Sequence, residues 1–197
     1  SEHVLTRTVR DSAAMLDATC GPDLGAPYEI RDPERPYLAE VDRDPGKLRI
    51  AFTDEALFGE VTDPDCLRAV EDAAALAAEL GHHVELAKPR FDKKLLIRAY
   101  LLMVSAGVAT AVRAAGEKAG RAPTPHDFER PTWLMKLIGD RTTAAEYLWH
   151  RQAIHKATRE IARFFESYDV LLTPTTARPP VKLGEFALTP FEKVQLK

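Results

Sequence analysis

A strand, a capped helix and a second strand succeed one another between residues 47 and 89, and this unit restricts the fold more than any other stretch. In "KLRIAFT" (47–53) Leu48, Ile50 and Phe52 alternate, which is the period of a strand. In "DPDCLRAVEDAAALAAELG" Asp63 is placed to cap the helix, Pro64 takes its first position, and Gly81 follows its last turn. Leu67, Val70, Ala74, Ala77 and Leu80 hold a helical stripe. "HHVELAKP" (82–89) then reads as a second strand. A helix spanning two strands is a right-handed crossover between parallel neighbours. The spacing therefore predicts an α/β fold.

The flanking segments fit around that unit. "LTRTVRDSAAMLDATCGPD" predicts a helix capped by Thr6 or Thr8, with Val9, Ala13 and Leu16 on one face and Gly21-Pro22 at its end. Residues 22–46 hold Pro22, Pro27, Pro33, Pro36 and Pro45 with little periodicity, an extended connection long for a compact domain. Residues 92–167 form a helical region: a long helix over 92–118, a break at "RAPTPHDFERP", a short helix or turn at "TWLMKLIGD", and a last helix capped by Thr142 or Thr143 that runs to Ser167. Residues 168–197 supply a late strand and loop. There "YDVLL" is strand-like, and Thr173-Pro174-Thr175-Thr176 halts the ladder because Pro174 has no N–H to donate. Three strands are too few for helices this long, so a larger sheet is expected. The chain opens without Met, inside a motif by residue 4, and stops soon after the last loop; both ends are expected to be cuts.

Composition narrows the function classes. The 197 residues are 45% hydrophobic and 29% charged, with a formal net charge of −3. Neither that balance nor any Lys/Arg cluster suits nucleic acid. No uninterrupted run of 18 apolar residues occurs, so no membrane-spanning helix and no membrane partner are expected. Cys20 and Cys66 have no partner spacing and read as two reduced thiols of a cytoplasmic protein.

The residues do not assemble a catalytic site by themselves. Beyond Ser1 the serines are Ser12, Ser105 and Ser167, none in G-x-S-x-G and none followed by Lys three positions on. Ser12 and Ser105 read as small residues at helix interfaces. His82 and His83 are adjacent and would point to opposite faces of a strand, while His150 and His155 are five apart, so neither pair suits one metal. Phosphate-cradling glycine motifs are absent. No cofactor and no metal is expected.

Three stretches together resemble the amidase signature family. "EHVLTRTVRDSAAMLDATCGPD" is similar to the helix after its catalytic segment. "DPGKLRIAFTDEALFGEVTDPDCLRAVEDAAALAAELGHHVE" is similar to its strand–helix–strand unit, and "FFESYDVLLTPTTARPPVKLGE" to its late helix–strand–loop. Order and spacing also fit, so the resemblance covers nearly the whole chain, and the wording is most like that of bacterial amidases of the nylon-oligomer (6-aminohexanoate cyclic dimer) hydrolase kind. The resemblance implies a partial α/β/α fold with a mixed sheet, and residues 1–197 as a single C-terminal portion of an amidase domain. It implies hydrolysis of carboxamides through an acyl-enzyme on a Ser–cis-Ser–Lys triad. The Gly/Ser-rich signature of that triad is not in this chain, nor is the later segment often read as "GQPAISVP", so no catalytic residue carries over.

Substrate-side residues are implied at Trp133, Met135, Thr173 and Thr175. Relatives that act on glutamine carried by transfer RNA have an Arg near the "LMKLIG"-like segment; Trp133, Leu134 and Met135 stand there in this chain, with Lys136 beside them. An apolar wall in that place implies neutral, fairly apolar amides. Expected partners are a small amide substrate and either the missing N-terminal amidase portion or a second copy through the uncovered sheet edge. The chain by itself is expected to be inactive. A non-catalytic module acting through subunit interaction is the alternative, and a small α/β ligand-binding protein a third.

Overall fold

The computed structural model describes residues 3–55 and 61–187. The end of the late loop, 188–197, with "FEKVQLK", lies outside the described residues, as does part of the loop after the first strand. The chain divides into two compact units, Ser1–Gly46 and Lys47–Lys197.

In the first unit, helix α1 (Val9–Thr19) starts where the hydroxyl of Thr8 accepts the amide of Asp11, so Thr8 rather than Thr6 is the cap. Its apolar stripe is only half covered: Ala13 and Leu16 are half-buried and Val9 is exposed. The proline-rich connection contains one turn of helix, α2 (Tyr37–Glu40). Pro36 cannot cap that turn with a side chain, and Asp17 of α1 does so instead, accepting the amides of Tyr37 and Leu38 at 2.7 and 2.9 Å. Arg10 and Asp42 make a second tie, through two hydrogen bonds.

In the second unit, strands β1 (Arg49–Phe52), β2 (His83–Leu86) and β3 (Val170–Leu172) form a sheet in the order β2-β1-β3, and both pairings are parallel. Because β1 is central, Ile50 and Ala51 are both buried, on opposite faces. The alternation expected from Leu48, Ile50 and Phe52 is thus only half the story: both sides of the middle strand are covered. Helix α3 (Pro64–Glu79) carries the chain from β1 to β2, and the carboxylate of Asp63 accepts the amide of Asp65 as its cap.

Strand β3 is fixed to β1 from its first residues. Arg49 donates from Nε and from its terminal guanidinium nitrogen to the Asp169 carboxylate at 3.2 and 2.8 Å, and the Arg49 backbone amide donates to the same carboxylate at 2.8 Å. The Asp169 amide returns a bond to the Arg49 carbonyl at 2.8 Å. A one-residue slip of β3 would break all four bonds.

The helical region follows sequence order. Helix α4 (Lys93–Ala119) is capped by Asp92 and ended by Gly120 at a left-handed φ of 66°. A single 3₁₀ turn (Pro125–Asp127) leads to α5 (Arg130–Arg141) and α6 (Ala144–Phe164). Thr143 and Glu146 complete a capping box at the start of α6. This last helix ends at Phe164, one short turn before the expected Ser167. Helices α5 and α6 both pack on α4. At the α4–α5 crossing Gly139 lies against the backbone of Ser105, which is fully buried. The small-residue reading of Ser105 thus has a location.

One sequence expectation needs correcting. Helix α4 is long and apolar enough to cross a membrane by length and composition, with a mean hydropathy of 1.9 over 18 residues. Arg98 lies inside that stretch, so no unbroken apolar run of 18 residues marks it in the sequence. Only 17% of that window is buried within the chain.

Hydrogen bonding lowers several carboxyl groups. The Arg49 contacts bring Asp169 down from its ordinary 3.8 to about 2. The Lys88 ammonium lowers Glu55, the capping-box bonds from Thr143 lower Glu146, and Arg121 with Thr124 lowers Asp127. A folded-state pKa below the unfolded one stabilises above the unfolded value, and that contribution is lost as pH falls through the folded value. Stability is therefore expected to decline as pH drops from 3.8 toward about 2, the window of Asp169. Urea unfolding across that range checks it, and Asp169→Asn should flatten the slope. An identical slope in the variant would mean that the Arg49 pairing is not responsible.

Candidate substrate-binding site

The carboxyl ends of β1 and β3 face the start of α3, and a cavity of about 330 Å³ opens between them. Open α/β sheets bind ligands at this end of their strands. Cys66, Ala69, Val70 and Ala73 of α3 form one wall; Leu172 and residues 173–176 form the other. The loop is held at both ends. The amide of Thr53 donates to the Leu172 carbonyl at 3.1 Å, and the amide of Asp63 donates to the Ala177 carbonyl at 2.8 Å. Inside the loop the Thr176 hydroxyl donates to the Arg178 carbonyl at 2.7 Å. Thr53 is buried and closes a small turn with Glu55.

Thr173 and Thr175 both line this cavity, with Thr173 half-buried and Thr175 exposed. Trp133 and Met135 do not. They are half-buried on α5, where the Trp133 ring stacks on Phe128 with centroids 6.3 Å apart. The Lys136 ammonium sits 4.9 Å from the Trp133 ring centroid and is paired with Asp140 one turn on. Its charge already has a carboxylate partner and an aromatic face. Sequence reasoning missed Cys66, Ala69 and Ala73. The available signal was their small size at helical spacings of three and four, beside the inward stripe of Val70 and Ala74.

The nucleophile candidates do not gather here. The Ser12 hydroxyl lies 2.9 Å from Nε2 of His3, a base within reach that the sequence did not reveal, but the pair is exposed and no cavity described here includes it. The Ser105 hydroxyl is buried at the α4–α5 crossing with no partner. Of the histidines, His82 accepts the Leu48 amide through Nδ1, and His150 is buried on α6 against the edge of Trp149. Among the described residues no three His, Cys, Asp or Glu side chains converge as a metal site.

The parallel sheet, the loop tied at its strand end and the cavity beside α3 can be set against known proteins. The family model described as Amidase matches residues 2–196. The chain belongs to the amidase family. It is 30% identical over 190 residues to the 6-aminohexanoate-cyclic-dimer hydrolases of Pseudomonas sp. (strain NK87) and Paenarthrobacter ureafaciens. Those alignments take in 95% of this chain and 38% of each relative, so the chain spans about two-fifths of the length of the curated amidases it matches. The solved 6-aminohexanoate cyclic dimer hydrolase complexed with substrate superposes with a TM-score of 0.85 at 30% identity, over 93% of this chain and 39% of that one. A bacterial aryl acylamidase shares the fold at 20% identity, with a TM-score of 0.78 over 90% of this chain and 36% of its own.

Proposed function

We propose that this chain forms part of an amidase that hydrolyses carboxamide C–N bonds. The observation that carries the reading is the amidase match along residues 2–196. The chemistry implied by the family resemblance is covalent. A serine Oγ outside this chain attacks the amide carbonyl carbon, the C–N bond breaks, and the amine departs with a proton. Water then cleaves the resulting ester. This chain contributes the sheet and a wall of the cleft, with Thr173 and Thr175 beside the substrate and Trp133 and Met135 as a separate apolar wall on α5.

Neutral, fairly apolar amides, linear or cyclic, are the substrate class. Supporting this, the Lys136 ammonium over the Trp133 ring is engaged by Asp140 rather than free to grip a carboxylate. The two thiols of Cys20 and Cys66 are unpaired, which suits a reducing cytoplasm.

The test is the appearance of a free amino group on ring-opened 6-aminohexanoate cyclic dimer and of ammonia from hexanamide and from glutamine. The purified chain is expected to release none. The chain co-expressed with the remainder of the Paenarthrobacter hydrolase, lacking the segment matched here, is expected to cleave the first two and spare glutamine. Hydrolysis by the purified chain, or preference for glutamine in the complex, would overturn the assignment.

A further inference from the structure

Both walls of the strand-end cavity are bonded to one residue, Asp63. Its amide donates to the Ala177 carbonyl at 2.8 Å and so holds the far end of the Thr173–Thr176 loop. Its carboxylate accepts the Asp65 amide at 2.9 Å, and its carbonyl accepts the Leu67 amide at 3.0 Å, so the first turn of α3 hangs from it. Cys66, the third residue of that helix, begins the cavity wall, and Ala69 and Val70 follow one turn on. The near end of the loop is held differently. Thr53 is buried, and its amide donates to the Leu172 carbonyl at 3.1 Å, so that end moves only with β1 and β3. Asp63 is half-buried at a helix start, where loss of the capping side chain frays the turn.

We propose that Asp63 is a positioning residue for the amide substrate: by joining α3 to the Thr173–Thr176 loop it fixes the width of the cavity between them. The proposal rests on the amidase reading above, with this cavity holding part of the amide. Asp63 is not itself among the residues that line the cavity. The reacting serine lies outside this chain, so a looser cavity weakens the hold on substrate and transition state alike. Such a loss raises KM and leaves kcat unchanged. The cap sets the size of the effect, since a capping side chain typically orders its turn by a factor of about five, and asparagine caps as well as aspartate. Asp92 provides the contrast. It caps α4 through the Leu95 amide at 3.0 Å and lines no part of the strand-end cavity.

The experiment uses Cys66 as a reporter in the whole chain carrying Cys20→Ser. Alkylation of Cys66 by N-ethylmaleimide is followed by mass spectrometry at rising hexanamide, and the concentration that halves the rate is read. Asp63→Ala is expected to raise that concentration about fivefold, while Asp63→Asn keeps the parent value. Asp92→Ala should also keep it, although it removes a cap of the same kind. Should Asp63→Ala fail to fold, Asp63→Gly, which loses the same side-chain bond at smaller cost, should raise the concentration about twofold. Equal values in the parent and the Asp63 variants would overturn the proposal. So would the same rise in Asp92→Ala, or no protection by hexanamide at any concentration. In the complex with the remainder of the Paenarthrobacter hydrolase, Asp63→Ala should raise KM for hexanamide about fivefold and leave kcat at the parent value. An active complex whose KM ignores Asp63→Ala would remove the role of Asp63 and leave the amidase reading intact. Protection that depends on Asp63, with a complex that hydrolyses no amide, would do the reverse.

Discussion

Replacing Gly139 with alanine is expected to lower the melting temperature by roughly 2–12 °C, from an overpacking cost of about 1–3 kcal/mol in a chain of this size. A Cβ at that position would stand 2.1 Å from the Ser105 carbonyl oxygen, 2.6 Å from its carbon and 2.8 Å from the Ala109 Cβ. Two of those neighbours are backbone and cannot rotate away, so α5 has to lift from α4, its principal packing partner. Gly107, on the facing helix α4, has nothing within 4 Å of the corresponding point. Gly107→Ala should therefore be neutral or stabilise by about 0.4–1 kcal/mol through the unfolded state. Thermal melts of the two variants side by side decide the matter. Equal melting points would mean that the helices do not cross at Gly139.

The second large effect is on turnover. Ala69 lies on the cavity wall opposite Thr173 and Thr175 and is exposed, so a bulky side chain there can fill the cavity without entering the core. In the assembled amidase, Ala69→Trp is expected to reduce kcat/KM for neutral amides by about 100-fold, the scale of a misplaced substrate. Circular dichroism and melting temperature should stay close to the parent. Ala78→Trp, exposed on the same helix but outside the cavity, should leave turnover unchanged. Equal turnover in both variants would show that the strand-end cavity does not touch substrate.

What could be read in the sequence was what depends on near neighbours. Asp63, Asp92, Thr143 and Thr8 cap helices through bonds to amides two or three residues on, so each cap is visible in a few letters. The halt of β3 at Pro174 is equally local, and it led to Thr173 and Thr175. Contacts between distant segments were not legible. Nothing near Gly139 announces Ser105, and nothing near Arg49 announces Asp169. The α4 composition was open to view, but which of its sides is left bare depends on where α5 and α6 settle. Thr173 and Thr175 were expected to share a cleft with Trp133 and Met135; the cavity at the strand end draws instead on α3, whose small residues had read only as part of a helix.

The clamp between Arg49 and Asp169 also governs the order in which the molecule can be assembled. Its partners are 120 residues apart, and β1 has no β3 to pair with until the chain has been made well past α6. During synthesis β1, β2 and α3 can associate early, and α4 to α6 can condense through contacts that are near in sequence. The cleft loop cannot take its shape until the clamp closes. A ribosome stalled before residue 169 would carry a nascent chain with folded helices and an unformed binding site.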